Sequence, residues 1–410
     1  MARCSLPLYE HSVELDLPER WQVHYASLPE GPTLSPAEMR AALANPIGTP
    51  RLSELARGKG NVVIVVDDTT RPTPAWQFLP HVIEELHAGG VEDSSITIMG
   101  GIALHRPMGP PDFIRKVGRE IYDRYPCVNP SPWLDTVHLG DTEAGVPVKM
   151  SAEYVQADLR ITCGGIIPHP SAGFGGGAKL TMPGVCGQET IIAHHRDMDF
   201  HGKQGRGEVA GNEHRAEIES IAALCPPEFI ANPVINSRLE VAGLYCGHYI
   251  QAHRKGVEHA RRIYAVDVPA NADLAILSGA PQDSEISQGM KALADGFGPI
   301  HSVKPDGAVL YAAGGPEGFG YHHLGDHMRR TERSDPTERP AHYQDREIIF
   351  YSPSVSDSEF QRRAPRGSTL CRDLEAAVEA LAARSNGSEP IVNVFPLGAM
   401  TLYAPGSAAA

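Results

Sequence analysis

Apolar runs alternate along the chain with stretches of helical spacing, and this alternation predicts an α/β fold. The clearest run is NVVIVV, residues 61–66, which predicts a buried strand. Ser95–Met99, Leu159–Cys163, Phe229–Asn236 and Glu240–Tyr245 predict further strands. Between them lie helices with readable ends. Ser35-Pro36-Ala37-Glu38 is a capping box with proline at the first helical position. Thr73 is placed to cap a second helix, which Gly89-Gly90 stops. Pro111–Arg124, Gln188–His195 and Ile250–Arg262 predict three more. The proline-containing segment DVPANAD, residues 267–273, predicts a linker. Beyond it, Leu274–Leu277, Gly307–Ala312, Glu347–Tyr351 and Ile391–Phe395 predict a second set of strands, Thr331–Gln344 a loop, and GSAAA a disordered tail. The expected architecture is therefore two α/β domains, residues 1–266 and 274–410, with largely parallel, Rossmann-like sheets and the active site in the cleft between them.

Composition narrows the function. Acidic residues outnumber basic ones by 50 to 36, for a formal net charge of -14. This balance argues against wrapping nucleic acid or binding an anionic membrane surface, both of which need a basic face. No stretch approaches the ~20 apolar residues of a membrane span, and the first residues do not read as a secretory signal. The 7 cysteines are scattered and never form a CxxC pair. Reduced thiols in a cytoplasmic protein fit this better than a disulfide framework or structural zinc.

Of five polar clusters, four follow strands and the one at His194–His195 follows a helix; in open α/β sheets, ligands bind beyond the carboxyl ends of the strands. Asp67-Asp68-Thr69-Thr70-Arg71 follows the first strand, where the arginine can fork onto a carboxylate or phosphate, or the cluster can simply be a turn. His105 lies beside Arg106 in the loop after Ser95–Met99, as a candidate acid–base group or a solvated side chain. The third cluster runs from Pro168-His169 through Gly173, Gly175, Gly176, Gly177 and Lys179 to Pro183-Gly184. Its glycines allow close backbone approach to a ligand, and a desolvated lysine among them is a candidate for covalent chemistry. Alanine before Lys179 and leucine after it exclude a Walker A motif. The fourth, His194-His195-Arg196-Asp197-Met198-Asp199, has residue types that hold metals but also suits a polar helix end. In the fifth, Gln288 and Lys291 are three apart and share a helix face, able to hold a carboxylate jointly or to stand in solvent.

In this order, the clusters resemble the nickel-pincer-nucleotide lactate racemase family. The most specific stretch is His169 to His195: a histidine, a glycine-rich turn, a lysine ten residues on, PG, and a second histidine sixteen residues after the lysine. The resemblance implies that Lys179 is joined covalently to the pincer cofactor and that His195, rather than His194, ligates its nickel. It implies His105 and His169 as the two acid–base histidines. Asp68, Thr69, Thr70, Arg71, Gly176, Gly177 and Pro183 would cradle the cofactor, with Arg71, Gln288 and Lys291 binding substrate. The implied reaction is racemisation or epimerisation of a small 2-hydroxy acid. A histidine takes the hydroxyl proton, the pyridinium takes the hydride, and the planar 2-keto acid receives hydride back on either face. Enzymes of cofactor synthesis are the implied functional partners.

Three departures touch the substrate pocket. Ser287 stands where lactate racemases usually carry tyrosine, the chain between Tyr321 and Ser352 is shorter than the family pattern, and the family's C-terminal tryptophan is missing. They point to a substrate other than lactate. Two other functions remain open on the residues alone. One is a metal-dependent hydrolase using His194, His195, Asp197 and Asp199; the other is a cofactor-free protein that binds small anions.

Overall fold

Every residue of the strand Val62–Asp67 is buried, as expected for a strand covered on both faces of a parallel sheet. Val62, Ile64 and Val66 pack on Phe78, Leu79 and Val82 of the helix Ala75–Ala88. Val63 and Val65 face the other way, onto Leu180, Met182 and Ile191. Fully burying each of these side chains contributes roughly 1.5–3 kcal/mol. One face of the strand thus holds a helix, and the other holds the chain segment that carries Lys179.

The computed structural model describes residues 2–196, 205–325, 327, 335, 337–385 and 388–406. Two six-stranded sheets dominate it. The first has the order Val241–Gly247, Phe229–Ile235, Leu159–Cys163, Val62–Asp67, Ile96–Gly101, Cys127–Val128, parallel except for the first pair. The second is parallel throughout, in the order Thr369–Cys371, Glu347–Tyr351, Val303–Ala312, Ala272–Ser278, Ile391–Phe395, Gln22–Tyr25. A shared core joins them, with Ile166, Phe174 and Val234 from the first unit against Ala275, Leu277 and Phe395 of the second. Among the described residues, no helix is long and apolar enough to cross a membrane. All seven cysteines are free thiols.

Several expectations change. Residues 2–25, placed with the first unit by chain order, lie on the second sheet. The hairpin Ala2–Leu8/His11–Leu17 buries Leu6, Leu8, Leu15 and Leu17 against Leu274 and Ile276, and Gln22–Tyr25 pairs with Ile391–Val394. Part of the expected linker is regular structure, since the strand Ala272–Ser278 begins inside it. Thr73 does not cap the next helix: Pro74 stands at that position, and the Thr73 hydroxyl turns inward to Asp67 at 2.5 Å. The expected helix 111–124 is two, Pro110–Val117 and Arg119–Arg124, broken at Gly118, whose φ of 87° no helix accommodates. The hairpin Thr136–Asp141/Pro147–Ser151 went unforeseen. Residues 331–334 of the expected loop and most of the tail lie outside the described residues.

Candidate active site

The loops after three parallel strands of the first sheet, together with the turn after Ala272–Ser278 of the second, enclose a cavity of ≈ 240 Å³. Asp68, Arg71, His105, His169, Gly176, Lys179, Pro183, His195, Gln288 and Lys291 all line it. Thr69, Thr70 and Gly177 are not among the residues that line the cavity. Ile167, Leu180, Ile191 and Leu324 supply the apolar part of the wall.

Asp67 anchors the loops and is not itself a reactive group. Its carboxylate accepts from Lys116 Nζ at 2.7 Å, from the Thr73 hydroxyl, and from the backbone N–H of Gly165 at 3.0 Å. Lys116 also donates to the Arg71 carbonyl at 2.7 Å. This buried pair ties the loop after one strand to the loop after its neighbour. Lys116 sits on the helix Pro110–Val117, outside every motif, so sequence reading passed over it.

Asp68 is buried and engages both its oxygens. Oδ1 accepts from the Thr70 N–H at 2.8 Å and from its hydroxyl, while Oδ2 lies 2.7 Å from His105 Nδ1. Burial alone would raise the carboxyl's pKa, but His105, Arg71 and Thr70 outweigh it and hold the group well below the usual carboxylate range. An ionised carboxylate can only accept, so His105 Nδ1 carries a proton, and in the neutral ring Nε2 holds the lone pair. Thr70 also accepts from Arg71 at 2.6 Å, and the guanidinium donates to Gln288 Oε1 at 2.9 Å. That one amide oxygen also accepts from Lys291 Nζ at 2.6 Å.

His169 has the opposite polarity. Its Nδ1 accepts the backbone N–H of Ala172 at 3.2 Å, so in the neutral ring the proton sits on Nε2. Burial, then the charges of Lys179, Lys291 and Arg71, push its pKa well below the ordinary histidine value.

Lys179 follows Gly176 and Gly177, both at positive φ. A Cβ on Gly177 would lie 2.6 Å from the Arg215 guanidinium and 2.9 Å from the Tyr249 carbonyl, so only glycine fits there. Burial, then Arg71 and Arg215, lower the Lys179 pKa to about 7. Among the described residues, no carboxylate lies within ion-pair reach of its ammonium. Arg71 and two lysines whose pKa values burial lowers, Lys179 and Lys291, therefore face a cavity whose lining carboxylates, Asp67 and Asp68, are already paired, and an anion bound there would favour the protonated amines.

The two adjacent histidines part company. His195 Nδ1 lies 2.7 Å from the Ile191 carbonyl and must donate to it, which leaves Nε2 as a free electron-pair donor. Burial lowers its pKa to about 4, keeping the ring neutral as a metal ligand requires. His194 is fully buried behind it, its ring 4.5 Å from His214, and does not line the cavity. His194, His195 and His214 together offer ligand atoms within 4.8 Å of one another. Asp197 and Asp199, the other half of the hydrolase alternative, lie outside the described residues.

Sequence reading also missed His214 and His322. His214 caps nothing obvious and lies within an ordinary helical stretch, Glu213–Ala222. His322 arrives from far along the chain, pairs by an isolated β-bridge with His105, and brings its ring within 4.7 Å of it.

Residues 9–207 match the family model described as the lactate racemase N-terminal domain. The chain is 31% identical over 329 residues to a lactate racemase of Thermoanaerobacterium thermosaccharolyticum, covering 78% of this chain and 76% of that one. It is 30% identical over 295 residues to a lactate racemase of Lactiplantibacillus plantarum, covering 70% and 68%. The fold is similar to the lactate racemase apoprotein of T. thermosaccharolyticum, with a TM-score of 0.78 and 25% identity over 98% of this chain and 100% of that one. It is also similar to a Thermotoga maritima protein of known structure, with a TM-score of 0.67 and 18% identity over 92% and 99%.

Proposed function

The chain belongs to the lactate racemase family, a family of isomerases, and from that premise we propose that it racemises or epimerises a small 2-hydroxy acid with a nickel-pincer nucleotide held on Lys179. The observation that carries the reading is the convergence on one electropositive cavity of a lysine with a pKa of about 7 and two histidines of opposite polarity. The residues fit the cofactor. Lys179 is an amine that loses its charge near neutrality, in a turn where glycine alone is tolerated, and His195 presents an unshared pair at Nε2. Bound there, the cofactor would supply the hydride acceptor.

The chain's own residues do the rest. Arg71 and Lys291, bridged by Gln288, hold the substrate carboxylate. His105 Nε2 takes a hydroxyl proton while Asp68 stabilises the cation that forms at the ring. His169, with its proton on Nε2, faces the substrate as the second acid–base group. Loops of the first sheet carry the cofactor cradle and the turn after Ala272–Ser278 supplies substrate contacts. Ser287 does not reach the cavity, so the space of an aromatic there is left to substrate. The preferred substrate is accordingly bulkier or more polar than lactate. Cofactor-synthesis enzymes are its functional partners, and seven unpaired thiols suit the reducing cytoplasm.

The test is co-expression with the cofactor-synthesis enzymes and nickel, followed by chiral chromatography of 2-hydroxy acids supplied as single enantiomers. Interconversion is expected. Bound zinc without nickel, together with ester or amide hydrolysis, would instead favour the hydrolase that the cluster of His194, His195 and His214 permits. A second prediction separates the neighbours. His195→Ala is expected to lose nickel by elemental analysis and to lower activity by about a hundredfold or more. His194→Ala, which removes a buried ring packed on His195 and His214 that does not line the cavity, should keep most of its nickel. The reverse order would show that the wrong histidine has been assigned.

A further inference from the structure

The carboxylate and hydroxyl of a 2-hydroxy acid have their partners in Arg71, Lys291 and His105. His322 also stands on the cavity wall, and nothing in the reaction uses it. It lies against His105 with ring centroids 4.7 Å apart, and Leu324 follows it on the same wall. The segment is held in place by the bridge to His105 and by the His323 N–H donating to the Leu104 carbonyl at 3.0 Å. A histidine beside an acid–base group usually contacts something, yet His322 Nδ1 is shut off from solvent with no hydrogen-bond partner among the described residues.

A dry, unpartnered nitrogen is tolerated better as a lone pair than as an N–H, since orphaned donors are the rarer defect in proteins. The proton therefore belongs on Nε2, the nitrogen left to face the cavity. Burial, then the nearby His105, His195, Lys291 and Arg71, keep the ring neutral, with a pKa well below the usual value. His322 thus offers the cavity one N–H donor and no charge. With carboxylate and hydroxyl already taken, the part of the substrate left to meet it is the substituent on the second carbon.

We propose that His322 is a specificity-determining residue whose Nε2–H donates to a neutral oxygen on the third carbon of the substrate, so that the preferred substrates are 3-oxygenated 2-hydroxy acids. This rests on the 2-hydroxy acid reading above. A second carboxylate fits less well, because it would meet a neutral ring with no cation of its own. An alkyl substituent would displace water from the donor without replacing its hydrogen bond, which a hydrogen-bonding site penalises.

The experiment compares the cofactor-loaded enzyme on 2,3-dihydroxypropanoate, 2-hydroxybutanoate, lactate and 2-hydroxybutanedioate. The first two are close in size and differ in the hydroxyl that His322 would bind. The wild type should prefer 2,3-dihydroxypropanoate to 2-hydroxybutanoate by about tenfold or more in kcat/KM. His322→Phe should erase that preference mainly through KM, leaving 2-hydroxybutanoate within about threefold of wild type, and His322→Gln, which keeps an N–H donor, should restore part of it. A wild type that prefers 2-hydroxybutanoate, or one that prefers the dicarboxylate, overturns the proposal without any variant being needed. Equal losses on every substrate in His322→Phe would make the residue a support for His105 instead. If the loaded wild type interconverts no 2-hydroxy acid at all, the functional reading itself fails; racemisation with no preference for the oxygenated substrate sinks only this inference.

Discussion

Lys179→Ala is expected to yield a folded protein whose intact mass equals that of its sequence, whatever the supply of cofactor and nickel, and whose activity falls to background. Wild type prepared alongside it should carry an adduct that maps by peptide mass spectrometry to Lys179. The loss is expected to be about 10⁶-fold or more, because the hydride acceptor leaves with the attachment point and with it the catalysed route. Lys179→Arg should fail equally, since a guanidinium keeps its proton at every accessible pH. The lowered pKa adds a signature. Only the neutral amine is a nucleophile, and Lys179 becomes neutral as pH rises through about 7 rather than near the 10.5 of an ordinary lysine. Loading should therefore be slow at pH 6, rise through about pH 7, and gain little beyond pH 8. Active, unmodified protein from a host without the cofactor pathway would end the covalent assignment.

Replacing either acid–base histidine is expected to impair racemisation in both directions, but to divide the half-reactions. A catalyst leaves the equilibrium constant unchanged, so each variant must lose kcat/KM alike from either enantiomer. Single-turnover mixing of loaded enzyme with one pure enantiomer isolates the first proton transfer. His105→Ala should slow it by about 10²–10⁴-fold with one enantiomer, and His169→Ala with the other. The hydrogen bonds predict which is faster in the wild type. His105 is held by Asp68 with its Nε2 pair free and is set to accept. His169, its Nδ1 occupied by the Ala172 N–H, holds its proton on Nε2 and is set to donate. The enantiomer whose hydroxyl faces His105 should react promptly, and the other only after the His169 proton moves from Nε2 to Nδ1, at the expense of the Ala172 N–H bond, so that Nε2 can accept. Equal slowing of both enantiomers by both variants would show that one histidine merely positions substrate.

How far the residues alone reach depends on whether a feature is local. The strand NVVIVV announces itself because five successive β-branched residues suit a doubly covered strand, and the polar cluster that follows inherits its place at the sheet's carboxyl edge. All four loops that meet at the cavity were legible in this way, as was the Gly176–Lys179 turn, where positive φ and close approach demand glycine. The hairpin Ala2–Leu8/His11–Leu17 was not. Its alternation is short, and its partner, the sheet containing Leu274, lies more than two hundred residues away.

The sequence by itself determined which chemical groups the site contains: a lysine after glycines, histidines 105, 169 and 195, Arg71, and the Gln288–Lys291 pair. Tertiary structure decided what state each group is in and which neighbours it meets. Three histidines of one composition become an acceptor, a donor and a free electron pair because Asp68, the Ala172 N–H and the Ile191 carbonyl each occupy one ring nitrogen. Lys116 under Asp67, His214 behind His194 and His322 against His105 come from distant segments. Contacts of that kind depend on where the chain crosses itself and leave no period or spacing for a sequence reading to find.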